Sequence, residues 1–230
     1  MTDYLCYILG FLCYICRKIR FLRMNQNEAR FIGISRHRLT TDGEGVTTLA
    51  AFHGCPLRCR YCLNPHSLRD NARCIVHTPE SLYEAVKIDS LYFIATNGGV
   101  TFGGGEPCIH PDFISRFREL CGDQWRLTVE TSLNVPMRNV RRILEVSDAL
   151  IIDIKDMDSD IYLRYTSVDN SLVTANLKVI AEAGRASDCL VRIPLIQGYN
   201  TDDARRSSRV SLEDLGFSKF DLFTYRVQNN

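Results

Sequence analysis

The order of strand-like and helix-like patterns is the feature that most constrains the fold of this chain. Apolar runs long enough for strands are predicted over residues 46–52, 99–102, 126–130, 149–154, 189–193 and 220–224. Helical patterns separate them: helices are expected after 78–80, after 110–112, from Pro136, over 170–183 and around 211–215. Strands that alternate with helices form parallel sheets. The pattern therefore predicts one α/β domain, although periodicity alone does not separate a barrel from a doubly wound sheet.

Three cysteines follow the first predicted strand. Cys55, Cys59 and Cys62 have three and then two residues between them, so one short loop can present three thiolates to one metal group. A [4Fe–4S] cluster normally takes four cysteines. With three, one iron stays open for a ligand that is not protein, as catalytic metal sites keep an open position. The alternative is a zinc site completed by His53 or His66, although zinc sites usually draw a second ligand pair from further downstream.

A glycine-rich loop follows the second predicted strand. Gly103, Gly104 and Gly105 allow the backbone to approach a ligand closely and to adopt conformations that other residues disfavour. Glu106 beside them offers an acceptor for an ammonium group. Taken alone, such a loop is equally typical of an ordinary turn between a strand and a helix.

The two motifs in this order resemble the radical S-adenosylmethionine (SAM) superfamily. The resemblance implies a partial (β/α)6 barrel and a [4Fe–4S] cluster held by Cys55, Cys59 and Cys62, with SAM at the open iron. It also implies that the loop 103–106 faces the SAM amino group and that Tyr61 packs near the adenine. A tyrosine that packs in the core of the loop is the alternative for Tyr61.

Over roughly residues 30–200 the chain is similar to the glycyl-radical enzyme activating enzymes, the group that includes pyruvate formate-lyase activase. The similarity rests on the sequence DGEG at 42–45, the cysteines, the glycine loop, and two further segments. Those segments are ETS at 130–132 and DIK at 153–155. The resemblance assigns SAM or a monovalent cation to the candidate residues Glu130, Thr131, Asp153, Lys155 and Arg192. For Glu130 and Asp153 a structural ion pair or a helix cap remains open, and Lys155 also fits a solvated surface position.

The resemblance implies an enzyme that reductively cleaves SAM and uses the 5′-deoxyadenosyl radical to generate a glycyl radical on a partner enzyme. It also implies flavodoxin or ferredoxin as the electron donor. Arg58 and Arg60 on the cysteine loop are the candidates to meet its acidic surface, and solvated loop charges are the alternative for both. One alternative is a radical SAM enzyme that acts on a small molecule or a peptide. A second is an iron–sulfur or zinc module without catalytic activity.

Composition adds limits on the class of protein. The 230 residues carry a formal net charge of +1 and no dense basic stretch, so a nucleic-acid partner is not expected. The ten cysteines lack the regular spacing of a secreted disulfide framework, which favours the cytoplasm. Residues 1–23 contain an apolar run, which we interpret as an extension upstream of a start at Met24 rather than an interfacial anchor. Residues 24–230 are then a single radical SAM domain, monomeric and without stable membrane association.

Overall fold

The computed structural model describes residues 28–39, 41–70 and 72–225, so the interpretation of residues 1–23 lies outside the described part of the chain. Those residues form one sheet with the strand order β3-β1-β2-β4-β5-β6-β7-β8. The strands are β1 (Ala29–Leu39), β2 (Val46–Phe52), β3 (Ile75–His77), β4 (Gly99–Gly104), β5 (Arg126–Thr131), β6 (Ala149–Asp153), β7 (Cys189–Leu195) and β8 (Lys219–Thr224).

The six strands expected from the sequence all form, and neighbouring pairs from β2 through β8 run parallel. The prediction of an α/β fold is confirmed, and six parallel strands with intervening helices are those of a partial (β/α)6 barrel. Several strands are one or two residues longer than expected at their carboxyl ends. This extension brings Gly104, Thr131 and Leu195 into the sheet.

The strands β1 and β3 were not expected, and both are antiparallel. The strand β1 pairs with β2, and three residues at its start pair with β3, which lies at the edge of the sheet. Polar residues interrupt the apolar alternation of β1, and the register shifts at two places along it. The alternation that marks a half-buried strand is therefore weak in this segment. A three-residue strand such as β3 is too short to leave a pattern.

Helices cover the sheet between the parallel strands. The described residues contain α1 (Pro79–Val86), α2 (Ser90–Thr96), α3 (Pro111–Cys121), α4 (Met137–Val146), α5 (Ser159–Thr166), α6 (Ser171–Glu182) and α7 (Asp202–Glu213). The helices α2 and α5 were not expected, and α7 begins about nine residues earlier than the pattern indicated. Among these described residues we find no helix with the length and apolarity that a membrane crossing requires.

Aromatic side chains fill the space between the sheet and α3. The rings of Phe31 and Phe52 lie 4.4 Å apart, those of Phe52 and Phe102 5.7 Å apart, and those of Phe102 and Phe117 5.3 Å apart. All four residues are fully buried. Because this packing fixes β2 and β4 side by side, the loops that follow the two strands begin from neighbouring points. In barrels of this kind active sites lie at that carboxyl edge of the strands.

The turn at 41–45 lies at the opposite end of the barrel. The buried residue Asp42 accepts a hydrogen bond from the Thr101 hydroxyl through its carbonyl oxygen. Gly45 has a φ of +69°, and an added Cβ there would lie 2.3 Å from the Thr96 carbonyl oxygen. The turn therefore needs glycine at this position, and it packs against the amino-terminal half of the sheet rather than near the cysteines.

Candidate active site

The cysteine loop is fixed to its surroundings by backbone hydrogen bonds. Gly54 N–H donates to the Ser67 carbonyl at 2.8 Å, and Arg58 N–H donates to the Thr166 carbonyl at 2.9 Å. The Arg58 guanidinium donates to the Cys55 and Leu57 carbonyls at 2.7 and 2.8 Å. Arg58 therefore holds the loop together, in addition to the docking role expected for it.

The three thiols of Cys55, Cys59 and Cys62 line one cavity of about 170 Å³ at the carboxyl edge of the strands. None of them is in a disulfide. Burial, followed by the negative charge of Glu106, raises the pKa of Cys55 to about 12. Burial likewise raises the pKa of Cys59. Thiols in such a place ionise when a metal binds, because a coordinated thiol is deprotonated by the metal charge.

The choice between a cluster and a single zinc ion depends on the distances between the sulfur atoms. Zn–S bonds of about 2.3 Å in a tetrahedral site require sulfur atoms roughly 3.8 Å apart. The described residues contain no group of three His, Cys, Asp or Glu side chains arranged to hold one metal ion. His53, one candidate for the fourth zinc ligand, is hydrogen-bonded through Nε2 to the Arg69 carbonyl at 2.9 Å, a bond that metal-ligating histidines also make and that does not decide between the two groups. A [4Fe–4S] cluster binds each thiolate through a different iron, so it accepts thiols that are further apart.

The glycine loop lies directly against the cysteine loop. Gly105 N–H donates to the Phe52 carbonyl and Glu106 N–H donates to the Gly54 carbonyl, each at 2.8 Å. An added Cβ at Gly105 would lie 2.1 Å from the Gly54 carbonyl oxygen, so no larger residue fits there. Gly104 and Gly105 line the cavity that contains the thiols. The Gly104 carbonyl also accepts a hydrogen bond of 3.0 Å from the Asn64 side chain, which follows the last cysteine.

The carboxylate of Glu106 is buried and hydrogen-bonded within the protein. It is 1% exposed and does not line the cavity. One oxygen accepts hydrogen bonds from Cys108 N–H at 3.1 Å and the Thr131 hydroxyl at 2.7 Å. The other accepts from Ser132 N–H at 2.9 Å and the Ser132 hydroxyl at 2.6 Å. With four internal donors, this carboxylate holds the end of β5 in place. A contact between Glu106 and an ammonium group stays a prediction.

Four charged residues from three strand ends form two ion pairs beside the thiols. Arg192 Nη1 lies 2.7 Å from Glu130 Oε1, and Lys155 Nζ lies 3.3 Å from Asp153 Oδ2. All four line the same cavity. Burial raises the pKa of Glu130, and the charge of Arg192 opposes that rise. Burial lowers the pKa of Lys155, but the surrounding acidic groups, Asp153 foremost, together raise the pKa above its ordinary value, so the ammonium stays charged.

Tyr61 lies outside this cavity lining. Its ring packs 5.7 Å from the ring of Tyr199 and 6.2 Å from that of Tyr165, in both cases edge to face. The structure thus puts Tyr61 in an aromatic cluster under the cysteine loop, which was the alternative considered for it. A contact with adenine stays a prediction.

Three polar residues of the cavity wall were not among the candidate site residues. Asn64, Ser132 and Tyr225 all line the cavity, and the ring of Tyr225 lies 5.8 Å from Lys155 Nζ. Ser132 is the last residue of the ETS segment and Asn64 lies two residues after Cys62, so their positions were a usable signal. Tyr225 comes after the last strand, and nothing in the local sequence marks it.

Comparison with known proteins identifies relatives of this chain. The family model described as "Radical SAM superfamily" matches residues 50–209. The (2S)-3-sulfopropanediol dehydratase activating enzyme of Klebsiella oxytoca is 27% identical over 241 residues, which covers 78% of this chain and 75% of that protein. The pyruvate formate-lyase-activating enzyme of Clostridium pasteurianum is 36% identical over 121 residues, which covers 53% of this chain and 50% of that protein.

Among solved structures, Streptococcus suis SuiB bound to the precursor peptide SuiA is similar with a TM-score of 0.59 at 15% identity. The match covers 77% of this chain and 38% of that one, and at this identity it supports the fold alone. The resemblance inferred from the motifs is therefore confirmed, both for the superfamily model and for curated relatives that are named as activating enzymes.

Proposed function

This chain belongs to the radical SAM superfamily, and we propose that it is an activating enzyme that generates a glycyl radical on a partner protein. The superfamily implies a [4Fe–4S] cluster and SAM. The observation that carries the proposal is the single cavity in which the three cysteines meet the glycine loop and the ends of β5, β6 and β7. The names of the curated relatives support the finer assignment to activation of a glycyl-radical enzyme.

The cluster is proposed to bind to Cys55, Cys59 and Cys62. Held by these three thiolates and reduced by an external donor, the cluster would supply the one electron needed to break the S–C5′ bond of SAM. Methionine would be the leaving group, and the 5′-deoxyadenosyl radical would take a hydrogen atom from a partner glycine. The cofactor carries this chemistry, while the protein binds, orients and excludes water. A general base is therefore not needed among the side chains of the cavity.

The cavity residues have separate roles in binding SAM. The carbonyl groups of Gly103, Gly104 and Gly105 are proposed to accept from the SAM ammonium group, since glycine lets the backbone approach a ligand closely. Lys155 is 6% exposed and lines the cavity, so it is proposed to pair with the SAM carboxylate. Glu106 contributes indirectly, because its hydrogen bonds hold Thr131 and Ser132 at the cavity wall.

The partner is proposed to be a glycyl-radical enzyme, and the electron donor a reduced flavodoxin or ferredoxin. Arg60 is exposed on the cysteine loop and is therefore accessible to an acidic donor surface. Arg58 is exposed as well, although its guanidinium is engaged by the loop carbonyls.

The test uses anaerobically purified holoprotein, SAM, a chemical reductant and candidate glycyl-radical enzymes from the same organism. We expect formation of 5′-deoxyadenosine and a glycyl radical doublet in the electron paramagnetic resonance spectrum of the partner. The variant Cys62→Ala should abolish both signals. The control Cys121→Ala, on α3 and away from the cavity, should keep them. Cleavage of SAM with turnover of a small molecule and no protein radical would favour the alternative function.

A further inference from the structure

The resemblance to pyruvate formate-lyase activase implies a monovalent cation bound among Glu130, Thr131 and Asp153. The structure arranges these residues differently, because each already has a partner within the protein. Glu130 pairs with Arg192 at 2.7 Å, and Asp153 pairs with Lys155 at 3.3 Å. The Thr131 hydroxyl donates to Glu106 at 2.7 Å and accepts from Leu133 N–H at 2.9 Å. The expected ligand set therefore does not fit an added cation.

Arg192 places a positive charge beside both carboxylates, because it contacts Glu130 and is next to Asp153 in strand register. In the parallel pairing of β6 with β7, Arg192 is the direct register partner of Asp153. Its guanidinium also reaches past β6 to Glu130 on β5. The side chains of Arg192 and Glu130 are only 19% and 21% exposed, so solvent screens this pair weakly.

The Arg192 guanidinium has two further partners. One of its nitrogens donates to the Thr41 carbonyl in the turn between β1 and β2. Another lies 3.8 Å from the Asp221 carboxylate on β8. A planar guanidinium has several donors in fixed directions and can bind these partners at the same time, whereas a compact ion has no directed donors.

The four charged side chains that line the cavity balance one another without an added ion, and Asp221 lies outside that lining. Glu130 and Asp153 supply two negative charges, and Arg192 and Lys155 supply two positive charges. A monovalent cation placed between the carboxylates would face the positive charge of Arg192 at close range, and like charges so near each other repel strongly in a partly buried site.

We propose that Arg192 replaces the monovalent cation in this chain, so that SAM binds without dependence on potassium or sodium. The residue acts as a positioning residue, because its guanidinium holds the carboxylate of Glu130 at the cavity wall. This inference rests on the proposed function insofar as it concerns SAM, but the absence of a cation requirement is also a property of the protein without cofactors.

The first measurement is the dissociation constant of SAM for the anaerobic holoprotein. Binding is detected by the change in the cluster's electron paramagnetic resonance signal. The measurement is made at one ionic strength in potassium, sodium or tetramethylammonium chloride. For the unchanged chain we expect the three values to agree within about twofold. An affinity about tenfold higher in potassium or sodium would overturn the proposal, since a charge-assisted contact has about that effect.

In the variant Arg192→Ala, the affinity for SAM should become dependent on potassium or sodium. The substitution leaves Glu130 without its cation, so SAM binding in tetramethylammonium should weaken about tenfold. Potassium, sodium or millimolar guanidinium should restore it, a response that a purely structural defect does not give. The control Arg206→Ala removes an arginine whose side chain is 72% exposed, and it should show no such response. Failure of all three cations to restore binding would contradict the proposal.

The second measurement is the melting temperature of the protein without cluster or SAM. We expect no difference between potassium and tetramethylammonium for the unchanged chain, but a rise of about 2 °C or more in potassium for Arg192→Ala. The double variant Arg192→Ala/Glu130→Gln carries no excess negative charge and should lose that rise. If the holoprotein fails to bind SAM in all three salts, the proposed function is refuted. The melting temperatures of the protein without cofactors still decide whether a cation binds.

Discussion

The substitution Glu106→Gln tests whether a buried carboxylate holds together the loops of the active site. The amide has nearly the same shape as the carboxylate, so no cavity is created. It still cannot satisfy the same donors, because each carboxylate oxygen accepts one backbone N–H whose position is fixed. Those donors are Cys108 N–H at 3.1 Å and Ser132 N–H at 2.9 Å. Whichever oxygen becomes an NH₂ group, one buried N–H faces another donor.

The expected loss of stability in Glu106→Gln follows from these contacts. A buried donor without a partner costs about 1–3 kcal/mol. The remaining hydrogen bonds lose the assistance of the negative charge, which is worth roughly a further 1 kcal/mol. We therefore expect the free energy of unfolding to fall by about 2–4 kcal/mol. For a chain of this size that corresponds to a melting temperature lower by roughly 5–15 °C.

The assay is urea unfolding of the protein without cofactors, followed by circular dichroism, with the slope against urea compared between variants. The control Glu84→Gln removes the charge of a carboxylate that is 61% exposed and pairs with Lys87 on the surface of α1. Surface pairs of this kind contribute under about 1 kcal/mol. If Glu106→Gln cost no more than Glu84→Gln, the assignment of Glu106 as the organiser of these loops would be refuted.

Three further predictions concern the same region. Cys59→Ala should remove the iron and sulfide measured after anaerobic reconstitution, whereas Cys121→Ala should leave both unchanged. Gly105→Ala should lower the free energy of unfolding by about 3 kcal/mol, because its Cβ would lie 2.1 Å from a backbone oxygen. The control Gly33→Ala, whose Cβ would have no atom within 4 Å, should be nearly neutral in the same urea titration. Burial lowers the pKa of His110 to about 4, below the ordinary value near 6.5. The folded state thus disfavours the protonated ring, and stability should fall by up to about 3 kcal/mol as the pH drops from about 6.5 to 4. His110→Phe should remove that loss, and a pH profile that stays unchanged in this variant would disprove the assignment.

The parallel strands were predictable because burial on both faces leaves continuous apolar runs in the sequence. The segment 149–154 is an example, and its strand differs from the expectation by one residue. The antiparallel strand β1 was not predictable by the same means. It carries polar residues through its second half and shifts register twice, so its place in the sheet comes from pairing with β2 and not from a local pattern.

The meeting of the three candidate metal ligands in one cavity was predictable for a related reason. Their chemistry depends on residues that are neighbours in sequence, and one loop brings Cys55, Cys59 and Cys62 to the same cavity. The role of Glu106 depends instead on partners at Thr131 and Ser132, which are 25 and 26 residues away along the chain. An acidic residue next to glycines suggests a ligand contact, and only the position of the next strand shows that its acceptors are already used.

The ion pair formed by Glu130 and Arg192 was even harder to predict from the sequence. Sixty-two residues separate the two in sequence, and two strand pairings set whether they meet. In those pairings Glu130 is the register partner of Ile151, and Asp153 is the register partner of Arg192. A shift of one residue in either pairing would turn a side chain to the other face of the sheet. The motif therefore identifies charged residues at the strand ends, whereas strand register decides which of them neutralise each other and which stay free for a ligand.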